Sequence, residues 1–261
     1  MQRKCLILNK EDILEEFSEK IDKELSVRKK NLQDMKILIN STENLNNKFL
    51  LMRSFYPALY AHYEGFLKSN FFNLIESLES LNIDFYDIKP NLILLCILPN
   101  LENHLVKQEK KAEKLLSLFN NVFINNKNIF ESMNKDKYVI NHDTIKSTLS
   151  LLDIDLNSIN YPLEELGIIY DRRNGIAHGE LNPNGFNIFN ISSPKELTES
   201  RVNNALKFWN EDFDEVCNSL EIIKAIFYDY LNEEKYLKVN TNINNIEIQT
   251  NDITTITANN N

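Results

Sequence analysis

The sequence predicts an all-α protein, a bundle of long helices with a short irregular or β insertion. Three observations predict it. Residues 10–37 and 41–81 carry apolar side chains at helical spacing over far more residues than a strand spans. Helix start and stop signals recur in order along the rest of the chain. Two-residue alternation is confined to short stretches near Tyr138 and Ile246.

Residues 10–37 set Ile13, Leu14, Phe17, Ile21, Leu25 and Leu32 near helical spacing among charged positions, the pattern of a long amphipathic helix. This helix forms an N-terminal unit, residues 1–40, ahead of a main helical domain over 41–237. The second helix opens at Ser41 or Thr42, both good N-caps, and reaches about Leu81 on a dense face that includes Phe49, Tyr60, Tyr63, Phe66 and Phe71. Pro57 kinks or interrupts it, because proline lacks the N–H a helix interior needs. Shorter helices follow at 91–98 and 102–119, and an Asn-rich stretch from Asn120 to His142 holds a short strand at Tyr138 to Ile140. Asp143 caps a helix to Leu152, and Pro162 fits the first turn of the next, Leu163 to His178, which Gly179 ends. After a turn-rich loop at 180–192, Ser193-Pro194-Lys195-Glu196 has the form of a capping box and opens a helix to about Leu237. Residues 238–261, rich in Asn and Thr with Ile246 and Ile248 alternating, read as a disordered tail or a lone strand.

Composition narrows the function classes. A chain of 261 residues, 43% hydrophobic and 26% charged, suits one soluble core with appendages. Its longest apolar run, Leu92 to Leu98, is far short of the roughly 20 residues a membrane span needs. The basic start is followed by only four apolar residues, so no secretion signal is expected and the cytoplasm is the expected compartment. Against 38 Asp and Glu stand 29 Lys and Arg, a net charge of −9. A field of that sign repels a polyanion, so any RNA contact must be local. Arg28-Lys29-Lys30 and the run Lys107 through Lys114 read as solvated helix faces. Cys5, Cys96 and Cys217 suit reduced core thiols, and His62, His104 and His142 have no partners at zinc-ligand spacing. No metal and no cofactor are expected.

One region is shaped for something other than packing. Of five glycines, Gly167, Gly175, Gly179 and Gly185 gather around Arg172-Arg173-Asn174-Gly175-Ile176-Ala177-His178-Gly179. Asn174 and His178 share a helix face, while Arg173 and His178 diverge by about 140° and meet only through the reach of the arginine. Such a set supports phosphate-directed chemistry. Arg173 offers a planar fork of donors, Asn174 orients it or the scissile group, and His178 moves a proton near neutral pH. RNA cleavage needs little more, since the 2′-hydroxyl is an internal nucleophile. Spacing alone leaves a structural role open, and it is the commoner one, because Asn-Gly is also a turn signal.

The run Arg173-Asn174-Gly175-Ile176-Ala177-His178-Gly179 resembles the Arg-x4–6-His motif of the HEPN superfamily, all-helical proteins that include many metal-independent ribonucleases. Leu59-Tyr60-Ala61-His62-Tyr63-Glu64-Gly65-Phe66-Leu67-Lys68 is similar to the Tyr-x-His-Trp-Glu-Gly-Phe segment of the prokaryotic MAE-type HEPN branch, with Tyr63 in place of the tryptophan. That branch is typical of toxin–antitoxin and phage-defence loci. The resemblance covers roughly residues 40–235 and implies an HEPN-type bundle, Arg173 and His178 as catalytic pair, and Asn174 as the polar residue that follows the arginine. It also implies a homodimer with two motifs in one composite cleft. Glu180 stands where a nucleotide-transferring variant has tyrosine, so AMP transfer is a poor reading.

Supporting residues follow from the same placement. Glu64 is a candidate to hold Arg173 or His178 by a charge-assisted bond, the alternative being an exposed side chain beside a packing glycine. Arg172 completes the basic pair; the aromatic face of residues 49–78 and Trp209 read as core or dimer interface, and if RNA bases stack here, Tyr63 and Tyr170 are the tyrosines to test. The expected function is that of a metal-independent endoribonuclease, the toxic effector of a toxin–antitoxin or anti-phage system. Its substrate is RNA, such as tRNA or mRNA, and a partner protein encoded nearby governs it. The alternative is a non-catalytic HEPN subunit that binds a nuclease, an ATPase, a nucleotidyltransferase or a nucleotide.

Overall fold

Asn9 starts the first helix: its side chain accepts the Asp12 backbone N–H while the Asp12 carboxylate accepts from the Asn9 N–H. From there α1 runs Lys10–Ser41. The computed structural model describes residues 9–101, 113, 116–117, 120–121, 128–133, 135–178 and 197–238. Among them it holds six α-helices, the other five being α2 (Leu45–Ser80), α3 (Pro90–Leu101), α4 (His142–Leu151), α5 (Leu163–His178) and α6 (Glu199–Asn232). No strand is present among the described residues, so the class is all-α as the periodicity predicts.

Helix α2 is the centre of the bundle. Its buried side chains, from Phe49 to Leu78, cover about half of its circumference, and it packs against α1, α5 and α6. Helix α1 lays Phe17, Ile21, Leu25, Leu32 and Ile39 into the same core, and Ile13 is buried as well. Lys29 with Glu221, Lys36 with Asp214 and Lys224 with Asp22 then join the exposed edges of α1 and α6. Trp209 of α6 is fully buried and stacks on Phe213 at 5.4 Å. Burial pushes the Cys96 thiol up to about 12, which keeps it an inert core group. None of the described helices is long and apolar enough to cross a membrane.

Several boundaries differ from the sequence expectation. Helix α2 starts at Asn44, whose side chain accepts the Asn47 N–H at 3.0 Å. Ser41 and Thr42 are not its caps, because α1 extends to Ser41 and both hydroxyls donate back to the Leu38 carbonyl. Pro57 does not interrupt α2, although it removes the donor that would serve the Arg53 carbonyl. Helix α3 likewise continues past Pro99 to Leu101. Asn141 rather than Asp143 caps α4, reciprocally with Thr144. Tyr138 to Ile140 form no strand; Tyr138 instead stacks on Phe71 at 5.0 Å and its hydroxyl meets Thr148 at 2.9 Å. The insertion is therefore irregular, with single 3₁₀ turns at Ile129–Ser132 and Lys135–Lys137. Helix α6 is capped by Thr198 and ends at Asn232, beyond which Glu234, at φ 55°, turns the chain so that Leu237 meets Ile88 in an isolated bridge. Most of the helix expected at 102–119 lies outside the described residues, as do Cys5, His104, the lysines of 107–114, Gly179, Glu180, the loop 180–192, Ser193 to Glu196 and the tail from residue 239.

Candidate functional site

Helix α5 matches its predicted limits, Leu163–His178. Glu164 and Glu165 sit in its first turn and His178 in its last, the arrangement the helix dipole favours. Leu166, Ile169 and Gly175 form its buried side. The two arginines are adjacent in sequence and hence about 100° apart around the axis. They go to different places.

Arg172 turns toward α6. Its Nη1 donates to Asp212 Oδ2 at 2.5 Å, and the Tyr56 hydroxyl donates to the same oxygen. The guanidinium also lies 5.3 Å from the Phe208 ring centre. Both side chains are mostly buried, at 13% and 12% exposure. Burial raises the Asp212 carboxyl above its ordinary value, against the pull of Tyr56 and Arg172. Burial opposes the charge of Arg172 too, but Asp212 and Tyr56 outweigh it and raise its pKa. The charge on Arg172 is thus committed inside the fold, where it ties α5 to α6 and, through Tyr56, to α2.

Arg173 has no carboxylate partner among the described residues. Its Nη1 donates to Asn174 Oδ1 at 2.6 Å, and its guanidinium carbon lies 5.7 Å from the centre of the Tyr60 ring. Arg173 and Asn174 are half-buried, and His178, one helical turn beyond Asn174, is exposed. A half-buried cation with no carboxylate partner among the described residues can take a phosphate, and an exposed imidazole on the same helix can pass a proton.

The supporting residues divide. Tyr170 is half-buried between His142, stacked on it at 5.4 Å, and Tyr60, also at 5.4 Å. Tyr63 is fully buried and its hydroxyl meets that of Tyr161 at 2.8 Å, so it packs in the core and presents no face to an RNA base. Glu64 is half-buried and is paired with neither Arg173 nor His178 among the described residues; its charge bears on Tyr60 and Tyr63, whose pKa values it helps burial to raise. His62 offers its backbone oxygen to Arg28 Nη1 at 3.0 Å, and Gly65 makes room for the same guanidinium, which a Cβ there would approach to 2.9 Å.

Three residues of this region escaped the sequence reading: Tyr60 as a partner of Arg173, His142 behind Tyr170, and Asp212 as the counterion of Arg172. Asp212 carried a signal, since it stands on the apolar stripe of α6 with Trp209, Phe213 and Val216, where an acid needs a partner. Among the described residues no group of three or more His, Cys, Asp and Glu side chains is placed to hold a metal ion. A cavity of about 700 Å³ opens at the other end of α5, lined by residues such as Lys146, Asp153, Tyr161 and Glu164. No motif residue lines it.

Comparison with known families agrees with the two sequence segments: the family described as MAE_28990-like HEPN matches residues 17–236, which takes in α1 as well as the motif helices. No curated protein and no solved structure matches the chain.

Proposed function

The chain belongs to the MAE_28990-like HEPN family, and from that premise we propose that it is a metal-independent endoribonuclease, the toxic effector of a toxin–antitoxin or anti-phage defence system. Membership points to nuclease-like or nucleotide-related work. The observation that supports the finer reading is the contrast between neighbours, Arg172 sealed to Asp212 and Arg173 without an acid partner among the described residues, with exposed His178 on the same helix. In the proposed reaction His178 takes the proton of a 2′-hydroxyl, and that oxygen attacks the adjacent phosphorus. The bond to the 5′-oxygen breaks and the departing oxygen takes a proton from water, leaving a 2′,3′-cyclic phosphate and a 5′-hydroxyl. Arg173 bears the negative charge that grows on the phosphorane, with Asn174 fixing one edge of its guanidinium. A homodimer would bring two such motifs into one cleft.

A second reading is favoured by the net charge of −9, which holds bulk RNA away. In it the chain is a non-catalytic subunit that binds a nuclease, ATPase or nucleotidyltransferase, or a nucleotide. Inducible expression of the wild type and of His178→Ala at matched levels separates the two. Growth arrest with fragmented tRNA or mRNA in the wild type alone supports the ribonuclease. Arrest by both with intact RNA moves the binding subunit ahead.

A further inference from the structure

The two segments that resemble the family come together where Arg173 lies over the ring of Tyr60, and we propose that Tyr60 is the positioning residue that aims the Arg173 guanidinium at substrate phosphate. This rests on the reading of Arg173 as the phosphate-binding cation. The ring of Tyr60 has no solvent exposure, and the guanidinium carbon stands 5.7 Å from its centre. Asn174 Oδ1 fixes one edge of the guanidinium at 2.6 Å. Restrained on a face and on one edge, the group keeps its remaining edge for a bidentate phosphate contact.

The platform is itself immobilised. Tyr60 packs against Tyr63 at 5.5 Å and Tyr170 at 5.4 Å, and His142 stacks behind Tyr170 with 21° between the planes. His142 is seated on Gly167, where a Cβ would stand 3.1 Å from the imidazole. The buried Tyr60 hydroxyl finds no hydrogen-bond partner among the described residues. The ring face, not the hydroxyl, is therefore the useful part, and phenylalanine should replace it.

The test is NMR on protein labelled at arginine, with the Arg173 side-chain resonances assigned by their loss in Arg173→Lys. An upfield ring-current shift is expected in the wild type, retained in Tyr60→Phe and abolished in Tyr60→Leu. In parallel, cleavage of a short oligoribonucleotide should stay within about twofold in Tyr60→Phe and fall about tenfold in Tyr60→Leu, the scale of a desolvated cation–π contact. An Arg173 resonance unmoved by Tyr60→Leu, or loss of cleavage in Tyr60→Phe as deep as in Tyr60→Leu, overturns the proposal. Should Tyr60→Leu fail to fold, an Arg173 resonance at its random-coil position in the wild type overturns it equally. If the wild type and His178→Ala are alike inert on RNA, the ribonuclease reading falls while the arginine resonance still decides the role of Tyr60.

Discussion

Replacing each of the neighbouring arginines by glutamine should separate stability from function. In Arg172→Gln the Asp212 carboxylate, on a side chain 12% exposed, loses its cation and keeps the Tyr56 hydroxyl as a close donor. An acid left buried without its cation costs about 3–5 kcal/mol. With a urea m-value of about 3 kcal/mol/M for a chain of this size, the midpoint falls by roughly 1–2 M. Arg173→Gln loses one charge-assisted bond to a neighbouring amide and one ring contact, together about 1–2 kcal/mol at most, or roughly half a molar. Fluorescence of the buried Trp209 reports the transition, and an unchanged slope confirms that only stability moved. Equal costs for the two substitutions, or a midpoint shift under about half a molar in Arg172→Gln, would refute the division of labour drawn from the geometry.

Three further outcomes are expected. Arg172→Met combined with Asp212→Leu should recover most of the stability either change loses alone, because an apolar pair replaces a buried ion pair at little net cost; urea midpoints that simply add would contradict this. His62, held below its ordinary 6.5 by burial and by Arg28, stays neutral in the folded chain while the unfolded chain takes up a proton. Its contribution is therefore fully present above pH 6.5 and is lost as pH falls below it, so Tm should drop on acidification and His62→Gln should flatten the drop. Gly65→Ala gains about 1 kcal/mol of helix propensity but drives a Cβ to 2.9 Å from Arg28, itself held by Glu24 and the His62 carbonyl. A net loss in the native background and a gain in Arg28→Ala are expected, and a gain in both sinks the argument.

Long-range order was legible where a local signal and the core agreed. Pro162 before α5 and the apolar period of α1 and α6 placed those helices closely, because burial and propensity act on the same residues. Caps were misread where several candidates crowd together. Ser41, Thr42 and Asn44 lie within four residues, and the choice fell to the last because α1 claimed the first two for its own closing turn. The motif pointed to an arginine, an amide and a histidine, but not to which arginine is buried. That depends on Asp212, forty residues on and on another helix. The aromatic face of α2 reads as core or interface, and Tyr63 keeps to the core half of that reading; the periodicity of one helix does not reveal that Tyr161 comes to cover it.

The shared oxygen of Asp212 does more than hold a charge. It receives α2 through Tyr56 and α5 through Arg172, so it sets the rotational phase of α5 about its own axis. Turning α5 by one residue, about 100°, would bring Arg173 to the acid and swing Arg172 out in its stead. The motif would survive in sequence, yet the charge of Arg173 would be spent on the buried acid and Arg172 would stand in its place. A carboxylate forty residues away in sequence is thus the index mark that fixes the angle at which α5 is set.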